Sequence, residues 1–352
     1  MPAAPLTGRT LREVIQVSLG ADRFRLRLSN EFSDESVKIK AVYVADALDS
    51  CDIRTKSVRY LSFGGKKNVT IAPRQAVESD ECSYDLKPLQ RLAITIQYGA
   101  TPVHATSHRG SRTTSFLAPG AVKPGARFVA AERVDHWYNI AALEVPAASQ
   151  SCVAILGNSI TDGRGSTTNK QNRWPDQMAA AFGGKVGVLN LGIGGNCVLQ
   201  GGLSEPALQR FSRDILGQQG VTAVIIFQGT NDIGGSKGDS EQVAQRLKEA
   251  YRSFIGQLHD RGIRVYGATI TPFKGNGWYS FYHEAARRDV NEWIRTSGAF
   301  DGVIDFDALI RDEADPERIR EGWHDDGLHP NAEGYRVMGE YAAKCLQADG
   351  IQ

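Results

Sequence analysis

Hydrophobic and polar residues follow two different periods along this chain. In "DRFRLRLSN" Phe24, Leu26 and Leu28 alternate with Arg23, Arg25 and Arg27, and "SVKIKAVYVAD" alternates in the same way from Val37. A period of two puts successive side chains on opposite faces, so both stretches predict half-buried antiparallel strands. Further strand-like runs, "NVTIAP", "RLAITIQYG", "RFVAA" and "NIAALEV", are separated by Gly, Pro, Asp and Ser at spacings suited to a β-sandwich. Residues 8–146 thus predict an all-β region, and residues 1–146 a β-sandwich-like accessory domain.

After "VPAASQS" the pattern changes. Short apolar runs rich in Val and Ile, "CVAILG", "VGVLNLG", "TAVIIFQG", "IRVYGATIT" and "DGVIDF", read as strands buried on both faces. Helix-like stretches such as "RWPDQMAAAFGG" lie between them, and in "DSEQVAQRLKEAYRSFIGQLHDRG" Val243, Leu247, Tyr251, Phe254 and Leu258 recur at helical spacing. Asp239 or Ser240 can cap that helix and Gly262 follows its end. Alternating strands and helices predict an α/β fold: a doubly wound, mainly parallel five-stranded sheet forming a catalytic domain over 151–352.

Composition narrows the function. At 352 residues the chain can bury a large core, and 41 Lys and Arg against 40 Asp and Glu leave a net charge of +1. Such a balance offers no field to attract nucleic acid, and no apolar stretch reaches the ~18–20 residues of a membrane span. "MPAAPLTGRT" lacks a basic segment followed by an apolar one, so no signal peptide is read in it. The five cysteines show no CxxC pair and no Cys/His ligand spacing, which argues against a zinc site. Cys51 and Cys82 can pair in an oxidising compartment or stay as buried free thiols.

In open parallel sheets ligands bind beyond the carboxyl ends of the strands. The first such end delivers Gly157, Asn158 and Ser159, the second "NLGIGGN" and the third "QGTNDI". Near the C-terminus "DDGLHPNAEGY" sets Asp326 three residues before His329. Each is an ordinary turn or cap when taken singly. Together they supply a nucleophile, a base, a carboxylate to hold the base's tautomer, and donors for an oxyanion, which is what acyl transfer needs.

The blocks "GNSITDG", "NLGIGGN", "GTND" and "DGLHPN" resemble those of the SGNH or GDSL hydrolases, whose Ser, Gly, Asn and His fall on Ser159, Gly195, Asn231 and His329. The resemblance covers roughly residues 151–346 and implies a flavodoxin-like fold, with Ser159, Asp326 and His329 as the triad and no cofactor or metal. It also implies an oxyanion hole built from the Ser159 and Gly195 N–H groups and the Asn231 amide. Gly192 and Gly194 compete with Gly195, and Asp325 with Asp326, but the family's spacing prefers Gly195 and Asp326. One departure is Asn158, where many members carry Asp; a neutral amide can still brace the turn.

Together with "GRTLREVIQVSLGADRFRLRLSNEFS", these blocks resemble a bacterial, xylan-esterase-like branch carrying such a β-rich region. That branch implies removal of acetyl groups from plant polysaccharide outside the cytoplasm, by a secreted or periplasmic protein. A lipase or lysophospholipase is the alternative enzyme, and a non-catalytic carbohydrate-binding protein the alternative class. In "PFKGNGWYSFYHEAARRDVNEW", Trp278, Tyr279, Phe281 and Tyr282 cluster after the fourth strand, where sugar rings could stack. Trp278, Tyr279 and Trp174 are the candidate substrate contacts, with core packing as the competing reading. Arg173 reads as a surface residue or substrate contact, and His324 as non-catalytic.

Overall fold

A computed structural model describes residues 2–146 and 150–352. Residues 147–149, within the expected junction, lie outside the described residues. The described chain falls into two compact units: residues up to 146 together with Thr168–Gln171, and the remaining residues from 150 onward.

The first unit is β-rich. A seven-stranded antiparallel sheet runs in the order Glu132–Val134, Ser115–Pro119, Arg9–Gln16, Arg91–Tyr98, Val37–Asp46 and Arg59–Leu61, with Val69–Ile71 also paired to Val37–Asp46. A four-stranded sheet joins Ile140–Glu144, Ala21–Ser29 and Ala76–Glu78, with Cys82–Leu86 also paired to Ala21–Ser29. Register explains the core: Ile96 stands opposite both Leu11 and Val42, so one apolar row crosses three strands. That row meets Phe24, Leu26 and Leu28, which alternate with exposed Arg23 and Arg25, and the two inner faces close one core.

Two strand readings differ from the structure. "RFVAA" is not a strand; Phe128 instead packs with Phe116 and Ala118 in a small separate cluster, 4.4 Å beneath the Arg12 guanidinium. The central strand Arg9–Gln16 escaped the period-two reading because Thr10 to Val14 are buried without interruption. Its polar members are paired inside: Arg12 donates to Thr95 Oγ1 at 2.9 Å and to the Tyr43 hydroxyl at 3.0 Å. Glu13 accepts the Tyr138 N–H through one oxygen, while its other oxygen has no partner among the described residues. Burial raises the Glu13 carboxyl well above its ordinary pKa, against the lowering effect of that hydrogen bond. Cys51 and Cys82 are free thiols.

The second unit is α/β. Its parallel sheet has the order Gly187–Gly192, Cys152–Gly157, Ala223–Phe227, Arg264–Ala268, Gly302–Ile304. Alternate residues of one strand enter two different cores. Ala154, Leu156, Val224 and Ile226 pack toward helices Ser240–His259 and Phe281–Thr296, whereas Val153, Ile155, Ile225 and Phe227 pack toward Trp174–Ala181 and Ala332–Ala348. Both faces are covered, which is why these runs show no alternation. The helix expected from Val243, Leu247, Tyr251, Phe254 and Leu258 spans Ser240–His259 and buries all five. Asp239 occupies its N-cap position, yet the Asp239 side chain accepts from Lys237 N–H instead. Among the described residues no helix is long and apolar enough to cross a membrane.

Candidate active site

Three successive strand ends and one late turn of the second unit supply the residues singled out in the sequence. Gly157 ends the strand Cys152–Gly157, and Asn158 caps the short helix Ser159–Asp162 by accepting the Ile160 N–H at 3.0 Å. The neutral amide thus braces the turn, and Ser159 at the first helical position has an N–H for which a helix provides no acceptor. The turn is packed on two glycines. A Cβ on Gly157 would lie 2.1 Å from Thr161 Oγ1, and one on Gly192 would lie 2.4 Å from the Asp162 nitrogen.

The late turn completes a chain of hydrogen bonds. Ser159 Oγ lies 2.9 Å from His329 Nε2, and His329 Nδ1 lies 2.7 Å from Asp326 Oδ2. With Nδ1–H donated to the carboxylate, Nε2 is left as the acceptor for the Ser159 hydroxyl. Asp326 Oδ1 meanwhile accepts the backbone N–H groups of Leu328 at 3.0 Å and His329 at 2.8 Å. Burial pushes the Asp326 carboxyl up, but these bonds and the facing imidazole outweigh it and hold the group below its ordinary value. It is Asp326, not the neighbouring Asp325, that touches His329. His324 braces the same turn by accepting the Gly327 N–H at 2.9 Å, and Asn331 caps the following helix Ala332–Ala348.

The two other strand ends meet each other. After Phe227 the chain forms the short helix Thr230–Gly234, where Asn231 and Asp232 point back at the loop that follows Gly187–Gly192. Asn231 Nδ2 donates to the Asn196 carbonyl at 2.7 Å, leaving its other amide hydrogen without an acceptor among the described residues. Of the competing glycines, Gly192 gives its N–H to Asn190 Oδ1 and Gly194 to Asp162 Oδ2, whereas the Gly195 N–H has no acceptor among the described residues. Asp232, a residue that sequence reasoning passed over, fixes this loop by accepting the Val198 and Leu199 N–H groups, each at 2.9 Å. Its burial pushes the carboxyl up to about 6, against the lowering effect of those bonds. The signal available was only its place beside Asn231.

The aromatic candidates separate. Trp174 is corrected: it is 0% exposed, edge-packed against Phe227 and Phe306, and is a core residue rather than a substrate contact. Arg173 is likewise buried, held by Asp176 and by the Asp162 carbonyl. Tyr279 is half-buried, packed against Phe273, with its hydroxyl given to Glu317, so it fastens its loop. Trp278 is 37% exposed and its ring covers Gly234, three residues beyond Asn231 on the same helix. Beside it Asn276 donates to the Asp326 carbonyl at 3.0 Å, so this loop touches both halves of the site. Phe281 and Tyr282 stand exposed at the start of the next helix.

Residues 155–337, just over half of the chain, match the GDSL-like lipase/acylhydrolase family. Over 146 residues the chain is 33% identical to the uncharacterized lipoprotein YqeF of Bacillus subtilis (strain 168), a stretch that is 38% of this chain and 56% of that protein. The chain thus spans about half the length of the curated relative it matches. Among solved structures it is similar to Est24, a carbohydrate acetylesterase from Sinorhizobium meliloti, at 16% identity and a TM-score of 0.44, covering 56% of this chain and 99% of that one. It is also similar to a GDSL-like lipase from Bacteroides thetaiotaomicron VPI-5482 at 19% identity and a TM-score of 0.44, covering 58% and 91%. The family match takes in the blocks of Ser159, Gly195, Asn231, Asp326 and His329, and the chain belongs to the GDSL-like lipase/acylhydrolase family.

Proposed function

We propose that the protein is a serine esterase that removes short acyl groups, acetyl above all, from carbohydrate by an acyl-enzyme mechanism. The observation that carries this reading is the continuous Ser159, His329, Asp326 hydrogen-bond chain at the ligand edge of the sheet. Ser159 Oγ attacks the ester carbonyl and forms an Oγ–C bond as its proton passes to His329 Nε2. The tetrahedral oxyanion is held by the Ser159 and Gly195 N–H groups and the spare Asn231 amide hydrogen. Collapse breaks the bond to the alcohol, which leaves with the proton from His329. Water, deprotonated by His329, then hydrolyses the acyl-enzyme and frees the acid. Asp326 keeps the imidazole in the required tautomer and stabilises its cation.

The carbohydrate substrate is supported by Trp278, whose half-open ring covers Gly234, three residues beyond Asn231 on the same short helix, and can stack on a sugar. A location outside the cytoplasm suits a polymeric substrate and is supported by the lipoprotein name of the Bacillus subtilis relative. Acetate released from acetylated xylan, pectin and simple sugar acetates, with Ser159→Ala as the blank, tests the reading. Release from sugars but not from polymers narrows the substrate to small acetates. Faster cleavage of octanoate than acetate esters replaces the deacetylase by a lipid acylhydrolase.

A further inference from the structure

Behind the loop of Gly195 lies a buried cation that the mechanism above does not use. Arg210, on the helix Ala207–Phe211, is 1% exposed. Its Nε donates to Asn196 Oδ1 at 3.1 Å, its Nη1 to the Leu191 carbonyl at 3.0 Å, and its Nη2 to the Gly157 carbonyl at 3.2 Å. Asp214, at 3.2 Å, is its counter-ion. Gln228, at the third strand end, bonds two of the same acceptors: its Nε2 reaches the Gly157 carbonyl at 2.9 Å and Asn196 Oδ1 at 3.2 Å. Asn196 is in turn saturated: its side-chain amide donates to the Leu203 and Glu205 carbonyls, and its backbone carbonyl accepts the Asn231 amide. One planar guanidinium therefore ties the ends of two strands and, through Asn196 and Gln228, a third.

We propose that Arg210 is a positioning residue for the oxyanion hole, clamping from behind the turn that presents Ser159 and the loop that presents Gly195. The inference rests on the esterase reading of this site. Two of its acceptors lie next to proposed oxyanion donors: Gly157 is two residues before Ser159, and Asn196 directly follows Gly195. Hydrogen-bond donors stabilise a developing oxyanion only when held in place beforehand, and a misplacement of ~1 Å costs about 10²-fold in rate. Burial costs a guanidinium much of its hydration, and three convergent acceptors plus Asp214 repay that only in this arrangement. A lysine ammonium reaches fewer of them, because it lacks the planar fork.

The test compares the wild type with Arg210→Met, which keeps the apolar stem, and Arg210→Lys. On p-nitrophenyl acetate, Arg210→Met should lose about 10²-fold in kcat with KM changed less than about threefold. Inactivation by an organophosphonate, whose tetrahedral adduct uses the same donors, should slow in parallel, and Arg210→Lys should recover about tenfold. The acid limb of the pH profile should not move. A folded Arg210→Met with kcat within about threefold of wild type overturns the proposal, as does a loss carried by KM alone. If Arg210→Met does not fold, Arg210→Lys decides, and wild-type kcat there, or failure of both variants to fold, reduces Arg210 to a fold residue. A wild type with no Ser159-dependent turnover overturns the esterase reading and this one together, whereas an active wild type with an unaffected Arg210→Met overturns this one alone.

Discussion

The two units bury polar residues in different places. In the β-rich unit Thr10, Arg12, Glu13 and Thr95 sit in the middle of strands, each within the sheet that buries it. In the α/β unit the strand interiors from Val153 to Leu156 and from Ala223 to Phe227 are wholly apolar, and the buried polar residues Asn158, Ser159, Gln228, Asn231 and Asp232 begin where the strands stop. An antiparallel sandwich can seat a polar group wherever a cross-strand partner exists. A parallel sheet covered on both faces has no such freedom, so its polar groups collect at one edge and there converge. Mid-strand polarity should therefore serve stability, and strand-end polarity should serve turnover.

The sharpest way to break this contrast is Ser159→Ala, expected to lose about 10⁶-fold in kcat on p-nitrophenyl acetate while the melting temperature stays within a few degrees. Asn231→Ala comes next, at about 10²- to 10³-fold in kcat for loss of the proposed oxyanion donor. The pH profile should show activity falling about tenfold per unit on the acid side, as the imidazole base takes up a proton. Asp326 does not cause this limb, because its carboxyl is held below the ordinary carboxylate range. Its depressed value also means that the stability it contributes is complete above its unfolded pKa and is lost only as the pH falls through the folded one. A flat acid side contradicts a histidine base.

Smaller effects sharpen the contrast. Trp278→Ala should raise KM for acetylated xylo-oligosaccharides about three- to tenfold and leave p-nitrophenyl acetate untouched. Glu13→Gln should leave kcat unchanged and raise the melting temperature by about 2–4 °C at pH 8, with no gain near pH 4. The sign follows from the raised carboxyl: the folded state holds its proton where the unfolded state has released it, so stability falls as pH rises, and Gln imitates the protonated form. A variant with lower kcat at unchanged stability would show that mid-strand polarity is not confined to folding.

What could be read from the sequence follows the same division. The helical spacing of Val243 to Leu258 and the five apolar runs are local patterns, and all of them became the expected elements. Ser159, Gly195, Asn231, Asp326 and His329 stood out because short motifs placed them at strand ends and in a late turn. Trp174 and Trp278 look alike as text, one at the start of a helix and one just ahead of a helix, and only packing separates a core ring from a half-open one. Arg210 and Asp232 were missed for a related reason. In "EPALQRFSRD" an arginine on a short helix reads as surface charge, and nothing local shows that Gly157, Leu191 and Asn196 converge upon it.

The glycine packing under the nucleophile turn has a consequence for sequence change. Gly157 and Gly192 lend no functional atom to the proposed chemistry, yet any side chain at either would collide with Thr161 or with the backbone of Asp162. In a library of random substitutions selected for activity, these two positions should be as depleted as Ser159 itself. Alanine, the mildest replacement elsewhere, should be no better tolerated there than the bulkier residues.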